Sequence, residues 1–372
     1  MNILEICFSR SGGGLELYMA NIARYLMLRG HHILSVAPKD SFLHRQLNRR
    51  DVPFLPLSAR FRYADVFTAR KVAKIIRERK IDIVHAHQSA DLSTLLLSVK
   101  IAGRGRVVFT QQMESSRKKT DIFHRWVYKN IAGVIGITER VRKQVVENTP
   151  IDPSRAYRLY YGIEVPEQAP TEEMRAEARK TWGIAADELV VGIVGRLEEG
   201  KGQHIVIKAF AALADKNPKA KLMIVGGETV GQTGYLQKLE QLAAELNLKD
   251  KIIFTGFRDD IPVITRCFDI CVLATKKETF GLSLIESMAT EVAPIGTNAG
   301  GVPEIIQDGH NGLLVPPHEP RALAQAMLLL AENDSLRKRM AQEARKTVLE
   351  KFNLDQHLQG LEQIFQQISE MR

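Results

Sequence analysis

Residues 276–316 read KKETFGLSLIESMATEVAPIGTNAGGVPEIIQDGHNGLLVP, and the fold is decided there. Just before them, FDICVLAT (268–275) is a near-continuous apolar run of the kind a buried strand shows, while LSLIESMA (282–289) has helical spacing. Glu278 therefore falls in a strand-to-helix loop, Glu286 inside the helix and Gly281 at the joint. A residue without Cβ at that joint lets a ligand approach the backbone, where the N–H groups of Phe280, Gly281 and Leu282 point at it. A carboxylate near a helix start also suits the helix dipole with no ligand present, so each glutamate alone admits a structural reading. Together with the flanking glycines and with GRLEEGKG at 195–202, the pair argues for a site.

Outward from this stretch, strands and helices alternate. Apolar strand candidates stand at 2–8, 32–37, 81–85, 106–110 and 133–137, and again at 189–195, 221–226, 252–256, 268–274 and 292–296. Helical patterns such as 15–30 and 204–217 lie between them. That alternation predicts an α/β chain of two Rossmann-like doubly wound parallel-sheet domains. A polar, proline-containing run at 162–178 reads as the linker, which sets the domains at 1–165 and 178–352. A last segment, 353–372, spaces Leu354, Leu358, Leu361, Phe365 and Ile368 as one face of an amphipathic helix that must cover a core.

A chain of 372 residues exceeds what one core usually holds, which agrees with two domains. No run of 18 apolar residues exists, so no spanning helix is predicted. MNILEICFSRSGGG places Glu5 and a glycine turn where a signal peptide needs an unbroken apolar core, and it reads as a first strand. Cys7, Cys267 and Cys271 lack CxxC spacing and read as small apolar fillers in a reduced, cytoplasmic protein. The net charge of +9 is uneven: residues 1–165 hold 28 Lys and Arg against 14 Asp and Glu, a balance of +14, and the remainder carries −5. Clusters at 44–50, 70–80 and 117–119 offer a field for an anionic partner, either a phospholipid surface at the inner face of the cytoplasmic membrane or a phosphorylated glycan. For 70–80 a solvated helix face is the alternative, with Val72, Ile75 and Ile76 turned inward. The chain shows neither recognition helices nor aromatic-interleaved RNA motifs, which argues against a nucleic-acid partner.

The residue types at the two loops suit a sugar nucleotide. A diphosphate is held by fixed cations and helix N-termini, and Arg196 and Lys201 sit on a loop punctuated by Gly195, Gly200 and Gly202. Sugar hydroxyl pairs are donors, for which ionised carboxylates such as Glu278 and Glu286 are strong acceptors. Both halves begin with a strand, a glycine loop and a helix; Gly12, Gly13 and Gly14 of the first are expected to approach the phosphates from the opposite wall. A nicotinamide site fits poorly, since a GxGxxG frame from Gly12 meets Leu17 at its third glycine. Around Phe257 and Arg258 the donor's base is expected, and Arg258 is a donor-binding candidate.

GGGLELYMANIARYLMLRGHHI, DIVHAHQ (82–88), GRLEEGKG, FTGF (254–257), ETFGLSLIESMA and GGVPEIIQDGHNGLLVPP together resemble the retaining GT-B glycosyltransferases of family 4, which include cell-envelope and lipopolysaccharide-core enzymes. The resemblance implies a GT-B fold whose final helix crosses back to the N-terminal domain. It implies that Arg196 and Lys201 hold the nucleotide diphosphate, Glu278 accepts from the donor hexose and Glu286 binds ribose. It further implies transfer of a hexose or N-acetylhexosamine from a UDP-linked donor to an envelope glycan or glycolipid such as lipopolysaccharide core. A nucleotide-sugar epimerase of the same fold is the alternative. No DxD motif appears, so no essential metal or other cofactor is expected.

One departure stands out. Where many members show Thr-x-His, this chain reads Thr110-Gln111-Gln112, and Gln112 can donate and accept hydrogen bonds but takes no proton at neutral pH. Gln112 and His87 are the acceptor-side candidates. His85 and His87 lack a third metal ligand in sequence and read as structural or acceptor-wall residues.

Overall fold

A computed structural model describes residues 1–61, 63–228 and 234–370. The chain forms two compact units: Met1–Tyr160 with Asp355–Arg372, and Tyr161–Leu354. In the first, strands β1 (Asn2–Ile6), β2 (His32–Ala37), β3 (Phe54–Pro56), β4 (Ile83–Ala86), β5 (Arg106–Gln111), β6 (Gly133–Gly136) and β7 (Ala156–Arg158) form one sheet. Its order is β3-β2-β1-β4-β5-β6-β7, parallel throughout. In the second, β8 (Leu189–Val194), β9 (Ala220–Val225), β10 (Ile252–Gly256), β11 (Ile270–Leu273), β12 (Ala293–Thr297) and β13 (Leu313–Val315) pair in the order β10-β9-β8-β11-β12-β13. Each sheet reverses its winding once, between β1 and β4 and between β8 and β11. Ligands of open α/β sheets sit at such switch points, outside the carboxyl ends of the strands.

Apolar runs buried on both faces account for the strands: β1, β4 and β6 are buried almost throughout, as are β11 and β12. In the second unit Val191, Ile193, Leu222, Ile224, Val272 and Ile295 pack under Phe210, Met327 and Leu330 from the covering helices. The ten expected strands all form, and three short edge strands, β3, β7 and β13, join them. Helix Val66–Glu78 buries Val72 and Ile76 and turns Arg70, Lys71 and Lys74 to water, so this basic run is a solvated face.

The run expected as linker differs in its second part. Residues Glu172–Thr181 form a helix of unit 2, opened by a Thr171 side-chain cap on Met174 N. Arg175 donates to the carbonyls of Phe268, Thr290 and Glu291, and Arg179 pairs with Asp269 at 2.7 Å. The segment is polar because its arginines satisfy backbone oxygens, not because it is unanchored.

The final helix, Leu354–Glu370, buries Leu358, Leu361, Phe365 and Ile368 against unit 1. Phe365 meets the His85 ring edge-on at 5.1 Å. A Cβ on Gly133 would lie 2.7 Å from Ile368 Cδ1, so this glycine of β6 makes room for the helix. Glu362 accepts from Arg29 Nε at 2.9 Å and from Arg29 Nη2 at 3.0 Å, closing the outer edge.

Candidate active site

At the switch point of unit 2, the loop after β8 and the loop after β11 bring Lys201 and Glu278 together. Lys201 Nζ lies 2.9 Å from Glu278 Oε2, with the two side chains 27% and 18% exposed. Two glycines without an alternative hold the loops. Gly202 has φ +76°, and a Cβ there would come 2.3 Å from the Ala274 carbonyl oxygen. Gly300 has φ +62° and would collide with the Glu278 carbonyl oxygen at 2.0 Å; next to it, Gly301 N donates to that oxygen at 2.8 Å. The glycine turn of 300–301 thus fixes the backbone that carries Glu278, a role its sequence did not disclose.

Arg196 is exposed and lies 3.6 Å from Glu198. Its carbonyl accepts from the fully buried Gln203 side chain at 2.8 Å, which pins the loop from beneath. Gly281 caps the helix Leu282–Ala289 in the left-handed region, at φ +116°. Glu286, one turn into that helix, is partly exposed and makes no hydrogen bond or ion pair among the described residues. Burial pushes its carboxyl up to about 7. A partly buried carboxyl with no partner among the described residues has its hydrogen-bonding capacity unspent.

Two other candidates have side chains already engaged by neighbours. Phe280 buries its ring between Tyr161 and Phe352, with centroids at 5.3 and 5.7 Å, which leaves only its backbone for a ligand. Arg258 forms a two-point ion pair with Asp260, at 2.8 and 2.6 Å, and lies over Trp182. Its neighbour Phe257 is 81% exposed at the end of β10, a free aromatic face on the ligand side of the sheet.

Unit 1 places its candidates around its own switch point. Gly13 is the N-cap of helix Gly14–Leu28, and no side chain caps that end. Behind it, Phe8 N donates to Asp91 at 3.0 Å, and burial pushes the Asp91 carboxyl up to about 7. His87 is buried, while Gln112 is half-buried just past β5. The third partner that the sequence withheld from His85 and His87 is Glu5, which faces His85 across the β1–β4 ladder. His85 Nδ1 lies 3.0 Å from Glu5 Oε1 and His87 Nε2 2.6 Å from Glu5 Oε2, with all three side chains fully buried. Their ligating atoms lie within 4.8 Å of one another. Direct contacts of 2.6 and 3.0 Å make this a hydrogen-bonded cluster, since ligands about 2 Å from a shared metal stand farther apart. His85 Nε2 shares a hydrogen bond of 2.7 Å with Thr110, and Tyr18 bonds His357 Nε2 at 3.0 Å.

Among the described residues no helix is long and apolar enough to cross a membrane. Residues 12–166 match the model of the Glycosyltransferase Family 4 domain, and residues 174–347 that of Glycosyl transferases group 1. The chain is similar to N-acetyl-alpha-D-glucosaminyl L-malate synthase of Bacillus anthracis, 25% identical over 95% of this chain and 94% of that protein. It is 31% identical to D-inositol 3-phosphate glycosyltransferase of Corynebacterium glutamicum over 56% of this chain and half of that one. The fold matches HepE of Anabaena, solved in complex with UDP, at a TM-score of 0.88 and 23% identity, covering 99% of this chain and all of the other. With both units matched by domains of one enzyme class, and with two parallel-sheet α/β units that share the fold of that neighbour, the chain is a glycosyltransferase of the GT-B fold.

Proposed function

We propose that this protein transfers a hexose or N-acetylhexosamine, with retention of anomeric configuration, from a UDP-linked donor to a cell-envelope glycan or glycolipid such as lipopolysaccharide core. The observation that carries the donor half is the Lys201–Glu278 pair at the unit 2 switch point, with Glu286 unpartnered among the described residues in the helix that follows the Glu278 loop. Lys201, Arg196 and the N–H groups after Gly281 would stabilise the charge that grows on the departing diphosphate. Glu278 would accept from hexose hydroxyls and Glu286 from ribose. The acceptor hydroxyl attacks from the face the diphosphate leaves, and a leaving phosphate oxygen takes its proton, so Gln112 need not act as a base. HepE's complex with UDP supports the choice of base. The epimerase alternative is not favoured, since both matching domain models and the inositol-phosphate relative are glycosyltransferases.

The charge of +14 on residues 1–165 supports an anionic acceptor or membrane face. So do exposed apolar side chains in unit 1, among them Met113 at 70% and Ile122 at 88% exposure. Tyr63 and Phe123 meet there at 5.9 Å, close in sequence to the exposed Arg117 and Lys118. Phosphatidylglycerol vesicles are expected to co-sediment the protein, and neutral vesicles to leave it in solution.

The decisive test is a hydrolysis and binding screen over UDP-, GDP- and ADP-sugars. Calorimetric binding of a UDP-sugar with slow release of free sugar supports the reading; no binding by any of them refutes it. With positive charge supplied by side chains, chelators are expected to leave the rate unchanged.

A further inference from the structure

The buried Glu5–His87 contact has a consequence for Gln112. A carboxylate held by two imidazoles stays ionised: burial raises Glu5, but the electrostatic interaction and hydrogen bonds it receives from His85 and His87 outweigh that and keep it at about 2. An ionised carboxylate only accepts, so His87 Nε2, 2.6 Å away, carries the proton. Burial and the neighbouring His85 lower His87 to about 4, so the ring holds one proton and its Nδ1 is bare. That bare nitrogen faces the Gln112 side-chain amide at 3.5 Å. Only the NH2 end of an amide can donate to it. Such contacts are often long before substrate binds and tighten in the complex. The amide oxygen makes no other hydrogen bond among the described residues, and Gln112 is half-buried at the carboxyl end of β5.

We propose that Gln112 binds the attacking hydroxyl of the acceptor through its carbonyl oxygen, and that Glu5 and His87 are positioning residues that fix the polarity of its amide. The proposal rests on the glycosyltransferase reading, in which a hydroxyl is the nucleophile. Gln112 accepts a hydrogen bond and takes no proton, so it orients the oxygen without acting as a base. Tyr18 lies edge-on to His87 at 5.8 Å and joins His357 beneath it, so the ring cannot turn over without disturbing the final helix. Specificity follows for a ligand that donates at this point, such as an alcohol or water, over one that presents only an acceptor.

The test uses the full chain labelled with ¹⁵N-histidine, with His87 assigned by the signal missing from His87→Gln. At pH 7 His87 is expected to show a protonated Nε2 and a bare Nδ1 shifted by a hydrogen bond. Gln112→Met, close in size and unable to bond, is expected to move the Nδ1 signal and leave Nε2 in place. In the same variant, hydrolysis of UDP-hexoses, with water as the acceptor, should fall about tenfold while UDP affinity stays within about twofold by calorimetry. A protonated Nδ1 in the unsubstituted protein overturns the proposal, as does unchanged hydrolysis in Gln112→Met with UDP still bound. If the unsubstituted protein binds no UDP-sugar, the glycosyltransferase reading fails instead, and the tautomer measurement stands apart from it.

Discussion

The two switch points invite comparison, because one topology carries opposite electrostatics. In unit 2, Lys201 and Glu278 pair in a partly wet crevice, each able to trade its partner for a ligand group. In unit 1, Glu5, His85 and His87 are sealed in protein, and every polar contact is internal. A charge pair near water contributes little to stability and is free to work on a ligand, whereas a buried one is costly to break and acts through geometry. The lesson is a division of labour: one switch point leaves its charge pair within reach of water, and the other holds a fixed, buried hydrogen-bond pattern.

The sharpest way to break this contrast is Lys201→Ala. Turnover should fall about 10²–10³-fold, the scale for losing one group that stabilises growing charge, with little change in melting temperature. Wild-type kcat in that variant would remove the diphosphate role. Glu5→Gln should show the mirror image: unit 1 loses about 3 kcal/mol, read by urea unfolding, and UDP affinity is kept. Equal stability in that variant would show that the buried cluster is not the strong contact drawn above.

A smaller effect concerns pH. Glu286, held at about 7 when no ligand is present, must ionise to accept ribose hydroxyls. UDP affinity should therefore weaken by about tenfold between pH 7 and pH 6 at most, and Glu286→Gln should flatten that profile. The smallest effect compares the units directly. His87 and His357 are each lowered from 6.5 to about 4 by burial, so the unfolded chain binds protons the folded unit refuses. Stability of unit 1 therefore falls as pH drops through that window, and Glu5 adds a loss between 4.5 and 2. Asp91, raised from 3.8 to about 7, runs the other way and offsets part of it. Glu286 in unit 2 gains a proton on folding between 7 and 4.5, so that unit is stabilised by the same acidification. Hydrogen exchange at pH 5 against pH 7 should show protection shifting toward unit 2; an equal change in both would remove the distinction.

Much of this was legible from residue order alone. Apolar runs mark ten strands, and the glycines around Arg196, Lys201 and Glu278 mark the two loops that meet at the unit 2 switch point, because each is a local signal within a few residues. What escaped was non-local. Glu5 lies 80 residues from His85, and only the pairing of β1 with β4 makes them neighbours. Gly300 is one of many glycines until the Glu278 carbonyl is found against it. The strands β3, β7 and β13 span three residues each, too short for an alternation pattern, and form because a completed edge offers them hydrogen bonds. The sequence shows Arg258 by position alone, and only the structure shows its guanidinium paired with Asp260.

The helix Leu354–Glu370 that seals unit 1 leaves the ribosome only after the whole of unit 2. Unit 2, from Tyr161 to Leu354, is whole before that helix emerges, so the first half of the chain waits with an uncovered apolar groove while the second half matures. Loss of this helix, by a stop codon or a protease cut before it, should therefore be felt first at the amino-terminal sheet.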